Sequence, residues 1–173
     1  MRSKRSFLGI SIFIVAVFAV VIIDRNPLPD FSHYTQVKEK KSAFFDYILP
    51  LVKQSNQLII EDRKQLEVLL NNVDDLSFFE QLELDGLAED YYVDKENRSD
   101  LQIIEHLLLR VDPVPPSLAL AQAAIESAWG TSRFAVQGNN LFGQWCYKKG
   151  CGLVPLQRNA GSHHEVAKFS TVS

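Results

Sequence analysis

The chain changes character near residue 130, and that change limits what it can fold into. Six of its eight glycines lie at or after Gly130. The acids are distributed the other way: beyond Glu126 only Glu165 remains, against Arg133, Lys148, Lys149, Arg158 and Lys168. Glycine lacks a Cβ, so it serves turns and weakens helices. The pattern predicts a helix-rich first part and a loop-rich last part. The formal net charge is −3, which does not favour a nucleic-acid partner.

The N-terminus adds a second constraint. Arg2, Lys4 and Arg5 precede an uncharged run over residues 7–23. As a helix at ~1.5 Å per residue it spans roughly 26 Å, enough for a hydrocarbon core. The basic flank predicts a single-pass anchor that keeps residue 1 in the cytoplasm and sends the rest outward. A cleaved signal peptide is the rival reading. Val17-Phe18-Ala19 offers it a site, but inside the apolar run, and no small-residue pair follows Ile23. Both readings place residues 24–173 outside the cytoplasm. There a C-x4-C pair such as Cys146 and Cys151 can close a small loop, and the Lys-Lys-Gly between them suits a turn. Free thiols and a metal pair are the alternatives. The metal reading lacks a second Cys or His pair, since adjacent His163 and His164 would point to opposite faces of a strand. No metal or cofactor is expected.

Residues 24–34 read as a proline-bearing tether. Thr35 to about Leu49 reads as a helix with Val37, Phe44 and Ile48 on or near one side, and Pro50 as a break or the first turn of the next helix. Val52, Ile59, Leu66 and Val73 recur at sevens, an amphipathic helix that packs on the domain. Ser77 with Glu80, and Ser99 with Gln102, have capping-box spacing. The first box opens a helix carrying Phe79, Leu82 and Leu87. The second opens a largely buried helix in which His106 is a satisfied surface or core residue. Pro116 suits the first turn of a helix over 116–129, with Gly130 just past its end. Residues 165–172 alternate as a strand does. The expected units are 1–23, 24–34, 35–112 and 113–173.

On the 116–129 helix, Leu118, Ala121, Ile125 and Ala128 share one stripe, and Ala119, Gln122 and Glu126 another. Small neighbours suggest that Glu126 is partly enclosed, and the negative end of the helix dipole lies beside it. Both effects favour the protonated carboxyl. Such a group in a cleft is what protonation of a glycosidic oxygen requires. An ordinary exposed Glu near a helix end is the alternative.

Residues 121–143, AQAAIESAWGTSRFAVQGNNLFG, resemble the signature of bacterial glucosaminidase domains. Ala123, Glu126, Ser127, Trp129, Gly130, Ser132, Asn140, Leu141, Phe142 and Gly143 fill its fixed positions in order. With KKSAFFDYILPLV, EDRKQL and NLFGQWCYKKGCGLVPLQR, the chain is similar to the Bax protein family from about residue 35 onward. The resemblance implies a lysozyme-like helical lobe with a small β-hairpin lobe. It implies hydrolysis of the β-1,4 bond between N-acetylglucosamine and N-acetylmuramic acid in peptidoglycan, without a cofactor, by a domain held in the periplasm on the bacterial inner membrane. Glu126 takes the general acid's position. Asn140, Leu141, Phe142 and Gly143 match the floor of the substrate groove. Trp129 is a packing residue or a sugar platform. Glu165 is the candidate second carboxylate, and the substrate's own N-acetyl group is an alternative nucleophile. The family continues past FSTVS with further helices, so the lobe is expected to lack its C-terminal part. A lytic transglycosylase is the nearest rival, but its next element reads Gly-Leu-Met-Gln. A membrane-anchored peptidoglycan-binding scaffold that does not cut is a rival of another class. A metalloprotease is not favoured, because no HExxH occurs.

Overall fold

The computed structural model describes residues 28–157, 161 and 163–172. The expected membrane span over 7–23 lies outside them. Among the described residues no helix is long and apolar enough to cross a membrane. The order is α1 (Val37–Asn71), α2 (Phe78–Asp90), α3 (Asp100–Leu108), α4 (Pro116–Glu126), α5 (Arg133–Gly138), β1 (Trp145–Cys146), β2 (Gly152–Leu153) and β3 (Glu165–Ala167). This is a mainly α chain of the α+β class with a small antiparallel sheet, as the resemblance implies, and its helices fall in the glycine-poor part.

Helix α1 has 35 residues and passes through Pro50, so the expected break is absent. Pro50 lacks an N–H and deprives the Asp46 carbonyl of its partner. Both residues are exposed, so water can take that bond. Packing holds the two halves in one line: Phe44 and Ile48 are buried before the proline, Leu66 and Leu69 after it.

Two hydrophobic clusters share this helix. Leu66 and Leu69 pack with Leu84, Leu87, Ile103, Ile104 and Leu107 of α2 and α3. Phe44 and Ile48 pack with Phe31, Ala123, Ala124, Ala135 and Leu141. Phe31 is 2% exposed and meets Phe44 and Tyr47 edge-on at 5.4 and 6.2 Å. From Leu28 on, the stretch expected as a tether is therefore docked, because an apolar ring has a pocket to fill. Side chains of α1 also hold the segment that follows α3. Arg63 donates from Nη1 to the carbonyls of Leu108 and Val111 at 2.9 and 2.8 Å. Asn56 donates to the Val114 carbonyl and accepts its N–H.

Both capping boxes form, with Ser77 and Ser99 as N-caps. The phase of α2 differs from expectation. Phe79 and Leu82 face solvent at 78% and 60% exposure, and Leu84, Leu87 and Ala88 face inward. The cap places Phe78 and Phe79 in the first turn, on the side away from α3. Helix α3 buries Ile103, Ile104 and Leu107, and His106 is exposed.

The small sheet is not a hairpin. Its order is β1-β3-β2, so the last strand enters between the other two and pairs antiparallel with each. The expected strand over 165–172 is regular only from Glu165 to Ala167. Gly152 is required here, since a Cβ on it would lie 1.9 Å from the Val166 carbonyl oxygen. A Cys146–Cys151 disulfide joins the end of β1 to the start of β2.

Candidate active-site groove

Helix α4 begins at Pro116, where a first-turn proline loses nothing, and ends at Glu126, short of the expected 129. Ala128, Trp129 and Gly130 all have left-handed backbone, at φ 51°, 59° and 75°. Such φ values are uncommon outside glycine and cost about 1–3 kcal/mol each at non-glycine positions. Local bonds and packing hold the turn. Ser127 is buried; its Oγ donates to the Ala123 carbonyl at 2.6 Å and accepts the Gly130 N–H at 2.8 Å. Trp129 lies edge-on to Phe44 and Phe45 at 5.7 and 5.3 Å, with Lys41 Nζ 4.8 Å over its ring. A Cβ on Gly130 would come within 2.5 Å of the Phe31 ring. The aromatic packing of Trp129 thus fixes the exit of the helix that carries Glu126.

The buried side of α4 is Ala119, Ala123 and Ala124. Leu118 and Ile125, which share the other stripe, are exposed at 57% and 78%. Alanine side chains let α1 approach closely, and the larger residues are turned away. Glu126 is exposed, so the expected enclosure of its carboxyl is absent. It stands in the last turn of the helix, one turn past Gln122.

Gln122 lines a groove of about 570 Å³. Leu51, Val52 and Ser55 of α1 form one wall, Ala119 and Gln122 another, and Asn140, Leu141 and Phe142 a third, with Phe169 and Val172 closing one side. Glu126 is not itself a wall residue. Its Oε2 lies 3.4 Å from where a Cβ on Gly143 would stand, which puts the carboxylate beside the 140–143 segment at the groove's rim. Glycine at φ 65° leaves that approach open.

The 140–143 segment is pinned from below. Asn140 is 2% exposed; its Nδ2 donates to the carbonyls of Gln144 and Ala167, both at 2.9 Å, and its Oδ1 accepts the Gln144 N–H at 3.0 Å. Leu141 is buried in the second cluster, and Phe142 is 39% exposed. Asn140 and Leu141 therefore fix the backbone, and Phe142 presents its ring.

Glu165 lies elsewhere. It is 5% exposed, on the face of the sheet that carries the disulfide. Its two oxygens accept the N–H groups of Gly150 and Gly152, each at 2.9 Å. It is not among the groove-lining residues, so the structure does not bring Glu126 and Glu165 together there. Cys146, Cys151 and Glu165 place potential ligand atoms within 4.8 Å of one another. With the sulfurs bonded to each other, no thiolate is available to hold an ion. Of the α1 wall, Ile48, Val52 and Ile59 read in the sequence as apolar packing positions, and Ser55 and Asn56 carry no signal.

Comparison with known proteins agrees with the motif. Residues 104–172 match the glucosaminidase family, described as mannosyl-glycoprotein endo-beta-N-acetylglucosaminidase. The chain is 34% identical over 147 residues to Protein bax of Escherichia coli (strain K12), a match covering 85% of this chain and 52% of that protein. The chain thus spans about half the length of that curated relative. No solved structure matches it. The segment that supplies Glu126, the pinned 140–143 loop and the small sheet thus belongs to the glucosaminidase family, on a chain related to Protein bax over most of its length.

Proposed function

We propose that this chain is a peptidoglycan hydrolase, an endo-β-N-acetylglucosaminidase that cleaves the β-1,4 bond between N-acetylglucosamine and N-acetylmuramic acid. We further propose that it acts in the periplasm from an inner-membrane anchor at residues 7–23. The observation that carries the reading is the position of Glu126, at the mouth of a groove walled by the family's own Asn-Leu-Phe-Gly segment. A glycan laid along the groove covers the exposed carboxyl and brings the glycosidic oxygen to it. Glu126 then protonates the glycosidic oxygen as the bond breaks. Glu165 has both oxygens engaged by backbone amides. The reading therefore assigns the nucleophile's part to the carbonyl oxygen of the substrate's N-acetyl group, with water completing hydrolysis.

Digestion of purified peptidoglycan by the full chain and by its Glu126→Gln form tests this. The unaltered chain is expected to release new reducing N-acetylglucosamine ends. Glu126→Gln is expected to lower the rate at least ~100-fold, the usual contribution of a general acid. Equal release by both sinks the role of Glu126, and anhydro-sugar products identify a lytic transglycosylase. A non-cutting scaffold is the second reading, favoured by the exposure of Glu126 and by the absence of a carboxylate among the described groove walls. Binding without cutting by the unaltered chain would establish it.

A further inference from the structure

The loop between β1 and β2 has more structure than its length requires. The disulfide closes it, the Cys151 N–H donates to the Lys148 carbonyl at 3.1 Å, and Glu165 grips the amides of Gly150 and Gly152 from below. Its backbone is thus fixed in the absence of any ligand. What it holds in place is exposed. Tyr147 is 76% exposed, and Lys148 and Lys149 stand in solvent. No described acid lies within ion-pair distance of either lysine; the described ion pairs all fall between Arg63 and Arg98. Glu165, the only acid beyond Glu126, is buried beneath the loop.

An aromatic surface adjoins the lysines. Trp145 is 58% exposed and stacks on His164 at 4.2 Å with 13° between planes. Cys146 pairs with Glu165, so one step along the register sets His164 beside Tyr147. Trp145 directly follows Gln144, a residue of the groove wall. Rigid rings that stay in water and free ammoniums on a pinned turn give a surface complementary to a sugar polymer that also carries carboxylates.

We propose that the Trp145–His164 stack and the Lys148–Lys149 tip form a docking surface outside the groove for a peptide-bearing glycan strand. A pyranose lies on the open face of Trp145, and carboxylates of the peptide stems meet the two ammoniums. The proposal rests on the reading of the substrate as a wall glycan and names the part of it that the sheet recognises.

The test uses the full chain carrying Glu126→Gln, so that nothing is cut. Its affinity is measured for a soluble disaccharide bearing an uncleaved peptide stem and for a neutral N-acetylglucosamine tetramer. Lys148→Ser with Lys149→Ser is expected to weaken binding of the stem-bearing sugar by roughly 5- to 10-fold at low salt and the tetramer by less than about 2-fold. The arginine pair at the same positions is expected to restore binding. Trp145→Ala is expected to weaken both ligands by about 5-fold or more. Equal affinity of the serine pair for the stem-bearing sugar overturns the cationic part, and an unchanged affinity of Trp145→Ala overturns the platform. Binding of neither ligand by the chain carrying Glu126→Gln alone overturns the reading of the substrate as a wall glycan, whereas binding of both that the serine pair and Trp145→Ala leave unchanged overturns only the docking surface.

Discussion

Ala128 and Trp129 take left-handed backbone that a glycine would adopt without cost. They hold it because Ser127 binds both the Ala123 carbonyl and the Gly130 N–H, and because the indole has two rings to pack against. Ala128 is exposed, so its methyl contributes little. Ala128→Gly is therefore expected to raise stability by about 0.5–1 kcal/mol, read as a higher urea midpoint at unchanged slope. Much of this residue-level detail was legible. Pro116 marked the start of the helix, but its end falls at Glu126 and not at the expected 129. The exposure of Glu126 was not legible. It depends on how α1 and the 140–143 segment are set around the end of α4, which no local pattern encodes.

The caps of α2 and α3 could be read because each involves only four neighbouring residues. The inward face of α2 could not, because Phe79 and Leu82 lose to Leu84 and Ala88 through the position of α3. The cap of α2 predicts a pH dependence. Glu80 bonds to the Ser77 hydroxyl and N–H and to Asn72, which hold its carboxyl below the usual carboxylate range. A depressed folded-state value means that the cap's contribution is present above the unfolded-state value and lost as pH falls through the folded one. Far-UV circular dichroism followed from pH 7 to pH 3 is expected to show fraying of α2, and Ser77→Ala is expected to show much of that loss already at pH 7. Pro50 was misread because local propensity argued for a break, whereas clusters on both sides hold α1 in one piece. Pro50→Ala restores an N–H to the ladder and is expected to stabilise the fold by about 2 kcal/mol, visible as a higher melting temperature.

At the scale of the whole molecule, α1 is a strut about 52 Å long that serves both clusters, with the groove along its middle. The expected division at residue 112 does not describe this arrangement, because both sides of that point are built on the same helix. The helix-rich first part was legible from the glycine and charge distribution, and the small sheet from the resemblance. The strand order was not, since strands of two or three residues carry no readable period. The cysteine pair was legible from its C-x4-C spacing around a Lys-Lys-Gly turn. Replacing both cysteines by serine is expected to cost about 2 kcal/mol, the loop-closure value for a ring of this size. A urea titration of reduced and oxidised protein checks it.

Phe31 packs against the ring of Phe44 and against Gly130, about 100 residues further along the chain. That arrangement has a consequence in time. A ribosome adds ~5–20 residues per second, so Phe31 is made roughly 5–20 s before the turn that covers it. Over that interval α1 holds an uncovered aromatic end, and the turn after Glu126 can take its final shape only once the first-made and later-made parts of the chain have met.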